Sequence, residues 1–415
     1  MKSGVSQLRW VMIGMAFLAT AITYMERGAL SVAVPVLTDQ LHITSVGYSR
    51  VIFAFMLAYT IMNGVSGPLI DLLGTKVGFA LSTAWWSVAA MLQALAKGPW
   101  SLGLCRFLLG MGEAGNWPGS VKVVAEWFPA HERALASGIF NSGAAFGAIV
   151  APPLIVSIIL RWGWRAAFLT VGVTGLMWVF LWAFVYRTPR EVEAEVAAPP
   201  TLPWILLCQR FVWSFTLAKI FLDPVWYFYV FWFPEYLKRA RHLDLASIGK
   251  LAWIPYLVAG LGNVIAGWFS GFLLRRGVSV TVARKSTVTV FILLMAAAIP
   301  AVLVPETSVS IGLVSLAMMG YTGVSANMLA FPADVYPKNV VASIWGLASM
   351  GSGFGGMVFV LLTGWLVDRY SFAPVFVVFG TIPMLALLII WFVSGPLGPA
   401  LARTNEGPCQ HGLGV

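Results

Sequence analysis

The chain has 415 residues, of which 59% are hydrophobic and only 10% charged, and its mean hydropathy is +0.85. Soluble domains carry about 25% charged residues, so this composition excludes one and points to an integral membrane protein. The net charge of +10 is scattered through short loops, as membrane topology requires, and forms no nucleic-acid-binding stripe.

The apolar runs predict membrane helices over 10–36, 47–70, 76–96, 100–124, 134–160, 165–186, 205–237, 247–274, 282–304, 309–333, 339–367 and 371–394. This matches the roughly twelve spans that such a length accommodates at about 20 apolar residues each. Lys2 and Arg9 precede the first run, which continues past Glu26-Arg27 to Pro35 without a cleavage site, so it reads as a membrane helix rather than a signal peptide. Arg187 to Pro203 is polar and Pro-rich. It divides the chain into a first bundle over 1–187, a linker over 188–204 and a second bundle over 205–395, followed by a disordered Gly- and Pro-rich tail over 396–415. Lys and Arg favour the loops on one side, which predicts a cytoplasmic location for both termini.

The two halves repeat each other. Ala125-Glu126-Trp127-Phe128-Pro129 returns as Ala333-Asp334-Val335-Tyr336-Pro337, at an offset of 208 residues (337 minus 129). A Gly-rich helix follows each copy, and both run the same way, so the repeat axis lies along the membrane normal. Such a duplication predicts a cavity at the repeat interface.

Ionisable residues inside a membrane span are costly and usually functional. The mid-membrane charges here are Glu26, Arg27, Arg106, Glu113, Lys219 and Asp223. Arg106 and Glu113 are seven positions apart on one helix face, in a stretch that breaks at Trp117-Pro118. Mutual neutralisation is the structural alternative for these two. Lys219 and Asp223 stand four apart and are expected to form a structural ion pair, with a substrate contact by Lys219 as the alternative. At the repeat offset Tyr321 replaces Glu113 and Val314 replaces Arg106. The second half thus offers neutral groups, Trp226, Tyr227, Tyr229, Asn263, Tyr321 and Asn327, and the asymmetry suits a ligand with one anionic and one hydroxyl-rich end. The three Cys and four His form no disulfide framework or metal set. No cofactor is expected.

Gly67-Pro68-Leu69-Ile70-Asp71-Leu72-Leu73-Gly74-Thr75-Lys76 resembles the signature loop of the major facilitator superfamily. Asp71 and Lys76 would latch the second and third helices. Arg106-Phe107-Leu108-Leu109-Gly110 resembles the same superfamily's fourth-helix motif. In the second half Gly271 stands where relatives often have Asp. Glu26-Arg27-Gly28-Ala29-Leu30-Ser31-Val32-Ala33 resembles the acidic-Arg pair of the anion:cation symporter family. Glu113-Ala114-Gly115-Asn116-Trp117-Pro118, the run from Asp223 to Pro234 and Asn327-Met328-Leu329-Ala330-Phe331-Pro332 are similar to the hexuronate transporter branch.

The resemblance implies an all-α membrane protein with the major facilitator fold, working by alternating access as a proton-coupled symporter of a sugar-acid anion. It implies that Arg27 binds the carboxylate, that Glu113 couples the proton with Glu26 as a second protonatable group, and that Tyr59 orients the substrate. The expected setting is a monomer in the lipid bilayer of a bacterial inner membrane. Symport of an aldonate or glucarate, and a membrane sensor that binds without translocating, are the alternatives. A membrane enzyme is disfavoured because the sequence shows no nucleophile elbow or His/Cys cluster.

Overall fold

In the computed structural model, residues 3–128, 133–187, 209–335 and 338–397 are described, and among them every regular element is helical. The linker at 188–204 lies outside these residues, as does the tail beyond 397. The helices are α1 (Ser3–Leu41), α2 (Ser45–Leu73), α3 (Thr75–Leu92), α4 (Pro99–Glu113), α5 (Asn116–Trp127), α6 (Arg133–Trp162) and α7 (Trp164–Val185), then α8 (Arg210–Arg239), α9 (Leu245–Leu251), α10 (Ile254–Arg275), α11 (Val280–Met295) and α12 (Ala298–Leu303), and finally α13 (Thr307–Met328), α14 (Phe331–Val335), α15 (Lys338–Arg369), α16 (Phe372–Thr381) and α17 (Pro383–Leu388). Ten stretches among the described residues are long and apolar enough to cross a membrane. Two more crossings complete the expected set. One is the α4–α5 pair, whose halves are 15 and 12 residues long, each too short to span alone. The other is α8, which carries Lys219, Asp223, Glu235, Lys238 and Arg239 among its Trp and Tyr residues.

Contacts group the chain into two compact units. The first comprises Met1–Ala198, Phe228–Ile254 and Val360–Arg369, and the second comprises Pro199–Tyr227, Pro255–Phe359 and Tyr370–Val415.

In the first unit α1 packs on α6, α2 on α4 and α3 on α7. Lipid supplies no hydrophobic drive between helices, so close approach at small residues holds them together. A Cβ on Gly110 of α4 would sit 2.4 Å from the Phe55 carbonyl oxygen of α2. A Cβ on Gly147 of α6 would lie 2.3 Å from the Ala21 carbonyl oxygen of α1. In the second unit Gly355 of α15 stands in the same relation to Ile220 of α8, also at 2.3 Å. Its offset from Gly147 is again 208 (355 minus 147), so the repeat seen in the motifs is also a repeat of packing.

At one end of the first unit Glu126 joins three helices. It accepts from Thr75 Oγ1 at 2.6 Å and from the Tyr186 hydroxyl. Trp178, Trp182 and Tyr186 stack in sequence, and the Trp182 indole donates to the Lys76 carbonyl at 3.0 Å. Lys76 therefore contributes a backbone contact here, while the side chain of Asp71 lies outside what is described.

Candidate functional site

The break between α4 and α5 positions the chemistry. Pro118 has no N–H to give the Ala114 carbonyl four residues earlier, and its ring crowds that carbonyl. The helix therefore stops at Glu113 and restarts at Asn116. The break falls at Ala114-Gly115, one turn before the expected Trp117-Pro118. In a membrane the freed carbonyls need donors. Ser66 Oγ supplies one to Ala114 at 2.9 Å, and Ser82 Oγ one to Gly112 at 3.0 Å.

Glu113 thus ends a helix inside the protein, with no exposure at all. Its Oε2 accepts from Nε of Arg27 on α1 at 2.7 Å, and Arg27 is only 5% exposed. Aromatic rings surround the guanidinium. Its Cζ lies 4.9 Å from the Tyr59 ring centroid, and 5.3 Å from those of both Tyr24 and Phe55. Such faces attract cations and keep a planar group oriented. Tyr59 in turn stacks on Phe55 at 5.7 Å.

Arg106 does not pair with Glu113. It is buried beneath Phe55, with Cζ 5.9 Å from that ring, and its Nη2 donates to the Glu26 backbone carbonyl at 3.4 Å. Among the described residues its Nε and Nη1 have no hydrogen-bond partner, and neither do the two carboxylate oxygens of buried Glu26 or Oε1 of Glu113. Unpaired buried polar atoms are expensive. Four ionisable groups from α1 and α4 therefore share one buried region in which, among the described residues, one ion pair is made.

The second unit holds another polar group. Lys219 Nζ meets Asp223 Oδ2 at 2.7 Å, and the Tyr321 hydroxyl donates to Asp223 Oδ1 at 3.1 Å. Tyr321 stacks on Trp226 at 5.4 Å, and Lys219 Nζ lies 5.0 Å from the Trp345 ring centroid. The Tyr227 hydroxyl and Ser352 Oγ are 3.5 Å apart. Asn327 is buried and donates to the Gly323 and Ala266 carbonyls at 3.2 and 3.4 Å, a tie between α13 and α10. Asn263 stands exposed on α10. Tyr24, Phe55, Trp345 and Ser352 were not singled out by the sequence. Their signal is weak, since each is one of many aromatic or hydroxyl side chains in apolar runs.

Long apolar helices packed through glycine, with an ion pair buried at a broken helix, define a polytopic membrane protein. The profile of the Major Facilitator Superfamily matches residues 16–348, and the chain belongs to that family. It is a transporter, not an enzyme, with the major facilitator fold. It is 32% identical to the hexuronate transporter of Escherichia coli (strain K12), over 97% of this chain and 99% of that one. It is 35% identical to the galacturonate transporter of Dickeya chrysanthemi, over 69% of this chain and 89% of that one. The crystal structure of a D-xylose-proton symporter has the same fold, with a TM-score of 0.77 at 13% identity, covering 94% of this chain and 98% of that one.

Proposed function

We propose that the protein takes up a sugar-acid anion, most specifically a hexuronate, together with a proton. The buried Arg27–Glu113 pair carries this reading. A carboxylate-bearing solute finds in Arg27 a planar fork suited to two parallel hydrogen bonds. Similarity to hexuronate and galacturonate transporters over most of the chain supports the substrate class. Glu113 is the proton-coupling group, and Glu26 beside it is a second protonatable group. Tyr59 orients the bound anion. Trp226, Tyr227, Asn263, Tyr321 and Asn327 are assigned to the hydroxyl-rich part of the substrate, and Arg106, Asp71 and Lys76 to the framework that moves. The protein works as a monomer in a bacterial inner membrane, with both termini in the cytoplasm. Its two six-helix halves, 1–187 and 205–395, are joined by the linker over 188–204 and alternate in access.

The test is counterflow in proteoliposomes loaded with unlabelled glucuronate, galacturonate, galactonate or glucarate. Labelled glucuronate is expected to accumulate transiently against the two hexuronates and more weakly against the others. Binding without counterflow would mark a sensor, and preference for glucarate or galactonate would move the substrate class.

Lys219 and Asp223 are expected to act mainly on structure, because each neutralises the other in a buried place. Lys219→Met or Asp223→Leu alone leaves an uncompensated charge, a loss of about 3–5 kcal/mol. The double variant restores neutrality and is expected to recover thermal stability and part of the transport. A double variant that is stable yet binds no glucuronate assigns the pair to the substrate instead.

A further inference from the structure

At the opposite end of the first unit from Glu126, one helix borrows its cap from another. The first N–H groups of any helix lack partners within it. In α2 the Thr44 side chain accepts from the Gly47 N–H at 3.0 Å, and the Thr44 carbonyl accepts from the Tyr48 N–H at 2.8 Å. The two remaining donors are met by a residue more than 300 positions away. Asp368, in the last turn of α15, accepts from Ser45 N at 2.9 Å and from Val46 N at 2.8 Å.

Around this cap the same elements are held at further points. Arg239, at the end of α8, bonds to Glu235 at 3.1 Å, donates to Ser45 Oγ at 2.5 Å and lies 4.0 Å from Asp368. Lys238 pairs with Asp39 of α1 at 2.7 Å and also meets the Pro35 carbonyl. The Tyr48 hydroxyl and Ser31 Oγ both donate to the Phe231 carbonyl, at 2.7 and 3.2 Å. Gly364 of α15 lies so close to α2 that a Cβ there would be 2.4 Å from Ser49 Oγ. Ser49 is buried at 1% exposure.

We propose that Asp368 is a positioning residue for transport: its carboxylate caps α2 from α15 and so latches the ends of α1, α2, α8 and α15 shut on this face. The inference rests on the reading of the protein as an alternating-access transporter, in whose orientation this is the outer face. A hydrogen-bonded carboxylate at a helix N-terminus is favoured by the dipole as well as by the unpaired N–H groups. Those groups are satisfied from α15 only while the face is shut. When it opens, water must replace the carboxylate, so the latch biases the open and shut populations without touching substrate. The Lys238–Asp39 pair, with Asp39 largely exposed, contributes less.

The test follows access to Ser49. Ser49→Cys is placed in a background of Cys105→Ser, Cys208→Ser and Cys409→Ser and exposed to a membrane-impermeant maleimide from the outer side. Adding Asp368→Ala is expected to speed labelling about tenfold, the effect of losing one strong cap, with Asp368→Asn intermediate. Ala90→Cys, buried on α3, serves as the control for unfolding and should stay unlabelled. Unchanged Ser49→Cys labelling, or equal labelling of both positions, would overturn the latch. A second arm uses Ser45→Cys with Asp368→Cys. Oxidation should stop counterflow of labelled glucuronate and reduction should restore it, whereas full counterflow in the cross-linked protein also overturns the proposal. The labelling arm needs no substrate, so its outcome stands apart from the identity of the solute.

Discussion

Glu113→Gln is expected to bind and exchange sugar acid while losing all accumulation driven by a pH gradient. Glu113 is fully buried and, among the described residues, its partner is Arg27, at 2.7 Å. A buried carboxylate stays charged only while a cation or a set of donors offsets its lost hydration. If a substrate carboxylate takes over Arg27, Glu113 is left without that support and takes up a proton in preference to remaining charged. Anion and proton therefore favour one another's binding, and the coupling is reciprocal. Glutamine keeps the shape and one hydrogen-bonding oxygen but cannot carry a proton. One proton per substrate lets a gradient of one pH unit concentrate the neutral sum of anion and proton about tenfold. The parent protein should approach that ratio in proteoliposomes given this pH gradient and no membrane potential, and the variant should stop at equal concentrations. A variant that still concentrates substrate moves the coupling site, with Glu26 next in line.

Arg27→Lys is expected to weaken binding by about ten- to a hundredfold, the worth of one strong charge-assisted hydrogen bond. Lysine keeps the charge and can still meet Glu113, so folding should survive. It loses the planar fork, and with it the fit between Tyr59, Tyr24 and Phe55, whose ring centroids lie within 5.3 Å of the guanidinium carbon. Titration calorimetry with glucuronate measures the change directly. Undiminished affinity would remove Arg27 as the anchor.

Much of this site was legible as residues and little of it as geometry. Arg27 and Glu113 stood out because charges are rare in apolar spans. Their pairing did not, since they are 86 positions apart, and helix periodicity relates Glu113 only to neighbours such as Arg106 on its own helix. The place of the break was within reach: a proline deprives the carbonyl four residues before it, which points to Ala114 rather than to Trp117. Of the aromatic cage only Tyr59 was named, through the family resemblance; Tyr24 and Phe55 were beyond reach, because 27 Phe, 19 Trp and 11 Tyr share the chain and lipid-facing and site-facing rings look alike. Asp368 had no signal either. An acidic residue at the end of a span reads as an ordinary flank until another helix is seen to depend on it.

Proton movement on substrate addition tests the coupling most directly. Glucuronate added to lightly buffered, de-energised proteoliposomes holding the parent protein should make the external medium alkaline as the labelled sugar acid enters, and Glu113→Gln should abolish that signal. Entry of labelled glucuronate through the parent protein with no accompanying change in external pH would contradict proton symport at Arg27 and Glu113.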